Sequence, residues 1–234
     1  MPNIFDKHTI SVIMYYGNTE NAKNTRVLYM SSIGIMGGTF NPIHTGHLIA
    51  AELVREQMNL DKIIFIPTGN PPHKSSNTIL DSEHRVNMIK LATGGNDYFS
   101  ISEIEVEREG KTYTYDTLKQ LHENDQLQSN RTGNEFYFII GFDTLKELDT
   151  WKNINEICKL CKFIVVNRNN DKNEMQQEIL KLEQLYGAQI IHTEIPNIEL
   201  SSTEIRKRIY EHKSIRYMVT DEVYDYIAKN ELYK

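Results

Sequence analysis

Long apolar runs are missing from this chain. No stretch approaches the roughly 18 residues that a membrane-crossing helix needs, and the N-terminus lacks a basic region followed by an apolar core and a small-residue cleavage site. Neither a membrane nor an export role is expected. Basic excess is missing too: 26 Lys and Arg face 32 Asp and Glu, for a net charge of -6. General nucleic-acid binding usually needs a basic face, so no nucleic-acid partner is expected, and an anionic ligand must find a local positive site. Cysteine is scarce. Two in 234 residues give no disulfide framework, and the Cys158–Cys161 spacing lacks the second Cys or His pair that a metal or redox site would bring. Both sulfurs lie in an apolar run, which reads as buried packing in a reducing, cytoplasmic setting.

What is present is ordinary globular material, 39% hydrophobic and 25% charged. Residues 1–30 look foreign to the rest: Asn18 to Asn24 is polar and aperiodic, and Met30-Ser31-Ser32 precedes the first clear strand. They are expected to be a poorly ordered N-terminal extension, with an edge strand at Ile10 to Tyr16 as the alternative. From residue 31 to 234 short apolar runs alternate with amphipathic ones, the pattern of βα units on a parallel sheet. Strands are expected at Ile33–Met36, Lys62–Pro67, Phe99–Val106, Phe136–Ile140, Phe163–Asn167 and Ile190–Glu194. Helices fit at Gly46–Met58, Ser82–Thr93, Thr114–Asn124, Ile154–Leu160, Lys172–Tyr186, Ser202–Tyr210 and Asp221–Lys229. The expected fold class is α/β: a single Rossmann-like, doubly wound parallel sheet with helices on both faces and a C-terminal helical segment. Ligands of such sheets bind beyond the carboxyl ends of the strands, where strand order reverses.

Unusual residues do cluster in the loops that follow strands. The first strand runs into Gly37-Gly38-Thr39-Phe40-Asn41-Pro42-Ile43-His44-Thr45-Gly46-His47-Leu48. Paired glycines let a backbone turn tightly near a ligand, and the following helix start offers free N–H groups, so this is a candidate anion site. The spacing fits neither the dinucleotide fingerprint nor the Gly-Lys-Ser/Thr phosphate loop. His44 and His47, three apart, would face one side and donate together to phosphate oxygens; zinc would need a third ligand and is the weaker reading. Near the C-terminus, Ser201-Ser202-Thr203-Glu204-Ile205-Arg206 combines a capping box, Ser201 to Glu204, with further hydroxyls and a cation at a helix start.

Together these two motifs resemble the signatures of the nucleotidylyltransferase superfamily. The resemblance implies that His44, His47 and Arg206 are catalytic and that Gly37, Gly38, Thr39, Phe40, Ser202 and Thr203 join them in binding ATP. Three further segments, Pro71-Pro72-His73-Lys74, Tyr113-Thr114-Tyr115-Asp116-Thr117-Leu118 and Gly141-Phe142-Asp143 with Trp151 beyond, resemble bacterial nicotinate-nucleotide adenylyltransferases. That likeness, spanning about Met30 to Lys234, implies adenylyl transfer from ATP to nicotinate mononucleotide. It places Gly141 and Asp143 at the nucleotide and Lys74, Thr114 and Trp151 at the acceptor, Trp151 stacking on the pyridine. Trp151 could equally anchor the core, and helix capping already accounts for Asp116. Phe142 departs from the pattern, where a small residue is frequent. No protein metal site is implied; Mg2+ is expected to arrive mainly on the ATP phosphates. Pantetheine-phosphate adenylyltransferase, a cytidylyltransferase and a non-catalytic nucleotide sensor remain as rivals, and homo-oligomerisation is left open.

Overall fold

The computed structural model describes residues 30–69, 79–127, 133–167 and 172–234. Lys74 with its Pro-Pro-His neighbours, and the extension up to residue 29, lie outside the described residues.

Six strands form one sheet: β1 (Ser32–Gly38), β2 (Lys62–Pro67), β3 (Phe99–Ile101), β4 (Glu135–Gly141), β5 (Lys162–Asn167) and β6 (Ile190–Glu194). Their order is β3-β2-β1-β4-β5-β6, and every pair is parallel. The chain works outward from β1 to β3, then crosses back to lay β4 against the other side of β1. The reversal of strand order therefore falls between β1 and β4, and a crevice opens beyond their carboxyl ends.

Both faces of the sheet are covered, as strands that read as continuous apolar runs require. Side chains alternate along each strand, so Ile33 and Ile35 of β1, Phe136, Phe138 and Ile140 of β4, and Phe163 and Val165 of β5 share one face. They pack under α3 (Thr114–Leu127), α4 (Phe142–Glu147), α5 (Ile154–Leu160) and α6 (Lys172–Tyr186) through Leu118, Leu145, Ile157 and Ile179. The opposite face, with Met36, Phe65, Ile139 and Ile164, lies under α1 (Thr45–Gln57), α2 (Ser82–Thr93), α7 (Ser202–Tyr210) and α8 (Asp221–Lys229). Each fully buried Ile or Phe of this kind contributes about 1.5–3 kcal/mol. The C-terminal helices are thus part of the second face, which brings α7 beside the loop leaving β1. No helix among the described residues is long and apolar enough to cross a membrane.

Two elements differ from expectation. β3 ends at Ile101 rather than Val106: after Ser102 N–H reaches Phe65 O, the chain turns, with Val106 and Glu107 N–H both donating to Glu103 O. And α4, with the 3-10 turn Leu148–Thr150 behind it, fills a stretch where no helix is expected; at six residues it is too short to display a period.

Candidate active site

β1 leads into the crevice and the chain bends there in an unexpected way. Gly37 and Gly38 still belong to the strand; their lack of a side chain is what matters, because a Cβ would stand 3.2 Å from the Phe138 ring and 3.1 Å from the Phe40 ring. The left-handed residue of the turn is Phe40, at φ 48°. A non-glycine residue held there costs on the order of 1–3 kcal/mol, so its neighbours must hold it. They do: Arg85 Nη1 donates to Thr39 O at 2.9 Å, and Arg206 Nη1 donates to Asn41 O at 2.7 Å.

The second of those bonds joins residues 165 positions apart. Beside it Ser202 Oγ donates to Pro42 O at 2.8 Å, and Arg206 Nη2 approaches Thr203 Oγ1 at 3.3 Å. Asn41 Oδ1 accepts from Tyr233 Oη at 2.9 Å and from Leu80 N–H at 3.3 Å. The loop after β1 is therefore fastened to the C-terminal helices by a buried amide and two motif side chains. Burial pushes the Tyr233 phenol well above its usual range, so it stays a donor.

α7 starts as the capping reading requires, with Ser201 Oγ accepting from Glu204 N–H at 3.2 Å. Ser202, Thr203 and Arg206 line a cleft of about 330 Å³ together with Thr39, Phe40, Asn41 and His47. Among the described residues that line it, none is acidic. The N-terminus of α7, whose first residues Ser202 and Thr203 line the cleft, brings about half a positive charge to it. The cleft is built for anionic oxygens.

The two histidines divide their positions. His47 lines the cleft, whereas His44 is only 6% exposed and lies behind it, the rings stacked with centroids 3.7 Å apart. His44 precedes α1 with extended backbone (φ -144°, ψ 166°), so the same-face argument for three-residue spacing within a helix does not apply to it. Its backbone N–H donates to His47 Nδ1 at 3.2 Å. With Nδ1 an acceptor, the neutral His47 ring carries its proton on Nε2. Gly46 makes room for the pair, since a Cβ there would stand 3.1 Å from His44 Nδ1.

A second cleft, about 360 Å³, lies across Thr39, the residue the two clefts share. Gly37, Gly38 and Gly141 border it, Thr114 at the start of α3 faces it, and Trp151 closes one side. Trp151 is half-buried with its ring set edge-on to Phe138, centroids 5.7 Å apart at 83°. Gly37, Gly38 and Gly141, all expected at ATP, thus border the second cleft and not the first. Asp143 lines neither; its side chain is 99% exposed, 4.0 Å from Lys146 Nζ. Glu105 is in the second cleft, 8% exposed, accepting from Thr117 Oγ1 at 2.8 Å, and burial raises its carboxyl above the usual range.

A family model described as cytidylyltransferase-like matches residues 35–208. A probable nicotinate-nucleotide adenylyltransferase of Thermoanaerobacter sp. (strain X514) is 43% identical over 203 residues, which is 86% of this chain and 94% of that protein. One from Clostridium novyi (strain NT) is 40% identical over 206 residues, 88% of this chain and all of that protein. The chain belongs to the nicotinate-nucleotide adenylyltransferase family. A solved Plasmodium falciparum nicotinic acid mononucleotide adenylyltransferase complexed with APC, 20% identical, shares the fold at a TM-score of 0.68 over 87% of this chain and 97% of that one.

Three residues in or around the two clefts escape motif reading. Arg85 is one of them, although it shares a helix face with Met88 and Ile89, and an arginine on an apolar face is a signal of a buried cation with partners. Glu105 falls within the strand expected at Phe99–Val106, where no motif marks it. Asn41 sits inside the first motif, but nothing in the spacing shows that its amide would be a buried fastener. Cys158 in α5 and Cys161 at its C-terminal end lie in the core, 8% and 6% exposed, and burial raises both thiols, Cys161 the more strongly.

Proposed function

We propose that the chain transfers the adenylyl group of ATP to nicotinate mononucleotide, giving nicotinate adenine dinucleotide and pyrophosphate, as a step of NAD biosynthesis. The observation that carries this reading is the pairing of a cationic cleft with a tryptophan-walled one across Thr39, the residue they share among the described residues.

In this reading the triphosphate lies in the first cleft against His47 Nε2–H, the Thr203 hydroxyl, the Arg206 fork and the start of α7 at Ser202, whose own hydroxyl is donated to Pro42 O. His44 holds the His47 ring from behind. Pyridine binding falls to the second cleft, with the ring on Trp151 and its carboxylate at the α3 N-terminus beside Thr114, where amides and a positive dipole end converge. Asp143, exposed beyond β4, is free to accept from the nucleotide ribose, and Lys74 is proposed for the acceptor from its motif alone. The catalytic unit is residues 31–234, with 1–30 as an appended segment, a division that goes with relatives matching 203 and 206 residues of this chain.

Mechanistically the acceptor phosphate is mostly dianionic at neutral pH, its second pKa being near 6, so no general base is needed. One of its oxygens forms a bond to the α-phosphorus while the bond from that phosphorus to the bridging β-oxygen breaks, and pyrophosphate leaves with the electron pair. The chain contributes alignment at Thr39 and donors for the charge that grows on the α-phosphate and the leaving group. A lining of Thr, Asn, Ser, His and Arg suits phosphate oxygens, so Mg2+ would be held by those oxygens and water while His47 and Arg206 face the remaining ones. Cytoplasmic placement, beside the ATP pool, goes with this reading.

The test is pyrophosphate release from ATP with each acceptor supplied alone. Turnover with nicotinate mononucleotide is expected. Turnover with phosphopantetheine and none with a pyridine mononucleotide would transfer the chain to a different member of the superfamily.

A further inference from the structure

Arg85 touches neither cleft, yet it is the most thoroughly engaged cation of the described residues. Only 2% exposed on the inner face of α2, it donates through Nη1 to Thr39 O and Thr68 O, both at 2.9 Å, and through Nε to Leu80 O at 3.1 Å. Nη2 lies 3.5 Å from Gly69 O. One planar fork thereby gathers three separate stretches of backbone: the turn after β1, the turn after β2 and the approach to α2. Burying a guanidinium is costly unless it is bonded, and burial does lower its pKa from the ordinary value; the converging carbonyls offset that cost.

The place it holds is the informative part. Thr39 is the residue common to the two clefts, Thr68 lines the second, and Phe40 next to Thr39 is left-handed. Arg206 secures the carbonyl on the far side of Phe40 and Arg85 the carbonyl on the near side. We infer that Arg85 is a positioning residue for the transfer step: it fixes the junction where the acceptor phosphate must meet the α-phosphorus, without helping to hold either substrate. Its bonds all go to backbone carbonyls, those of Leu80, Thr39, Thr68 and Gly69, and none goes to a side chain that would bind ATP or the acceptor. Its loss moves the junction while both clefts persist. The inference rests on the adenylyl-transfer reading.

Arg85→Lys keeps the charge but offers a compact ammonium that cannot span three backbone segments, and Arg85→Gln keeps donors without charge. Both are compared with wild type for affinity toward ATP and toward nicotinate mononucleotide, the latter followed by fluorescence of Trp151, and for the single-turnover rate per folded molecule. Expected for each variant is a rate lowered between about 10- and 100-fold, with each dissociation constant within about threefold of wild type. Rates equal to wild type overturn the inference. So does a loss of rate matched by a loss of affinity for one substrate, or a failure of both variants to fold, which would make the guanidinium a core element only. A wild type that turns over no pyridine mononucleotide sinks the functional reading instead, whatever the variants do.

Discussion

Replacing His47 by asparagine separates its two ring nitrogens. In the folded chain Nδ1 accepts from His44 N–H at 3.2 Å, and the ring is stacked on His44 and set edge-on to Phe40 with centroids 5.1 Å apart. Nε2 is what remains for the cleft. Asparagine can place Oδ1 where Nδ1 was, preserving the bond that starts α1, but nothing where Nε2 was. Removing one preorganised donor from a site of developing phosphate charge costs roughly 2.7–4 kcal/mol, or a factor of about 100 to 1,000 in kcat. The stability side is smaller: lost ring contacts amount to about 0.5–1.5 kcal/mol. In a chain of this size that lowers Tm by only about 1–6 °C, at 2–4 °C per kcal/mol. Steady-state pyrophosphate release and a thermal melt measure both. His47→Gln, whose amide can reach toward the Nε2 position, should recover part of the rate. Near-wild-type kcat in the asparagine variant would refute the reasoning, because Nε2 would then have no part in handling charge.

Trp151→Ala removes a stacking surface worth about 0.5–1.5 kcal/mol beyond area, so KM for nicotinate mononucleotide should rise at least roughly 2- to 13-fold with KM for ATP unchanged; equal changes in both would point to a core anchor. Burial raises the Glu105 carboxyl, meaning the folded chain binds that proton more tightly than the unfolded one, and the associated stability is present below the unfolded pKa and lost as pH rises through the folded value. Glu105→Gln keeps an acceptor for Thr117 and abolishes this loss, so the Tm of the variant relative to wild type should increase from pH 4 to pH 8; a flat difference contradicts it. Iodoacetamide at neutral pH should leave native Cys158 and Cys161 unmodified and label both in denaturant, and the double serine variant should keep its activity.

Much of this was legible in the sequence because a parallel sheet writes its strands as apolar runs. The β3 misreading is instructive. Apolar residues occupy odd positions at Phe99 and Ile101 but even ones at Ile104 and Val106, and a strand cannot change parity without a break; the turn at Glu103 is that break. The family resemblance placed the motif at His44 and His47 and the one at Ser202 and Arg206 at a single site, and Ser202 and Arg206 do bond to the first motif, at Pro42 and Asn41. Motif reading could not separate His44 from His47, because spacing describes helical faces and His44 stands before the helix with extended backbone. Nor could it find Arg85 or Asn41 as fasteners, whose partners are backbone carbonyls and amides with no sequence signature.

A crystal structure with nicotinate adenine dinucleotide bound would test the central claim directly. The adenylyl phosphate should lie against His47 and Arg206, the pyridine ring against Trp151, and the pyrophosphate bridge over Thr39. A dinucleotide whose pyridine occupies the His47 cleft, or whose bridge passes Thr39 by, would contradict the account.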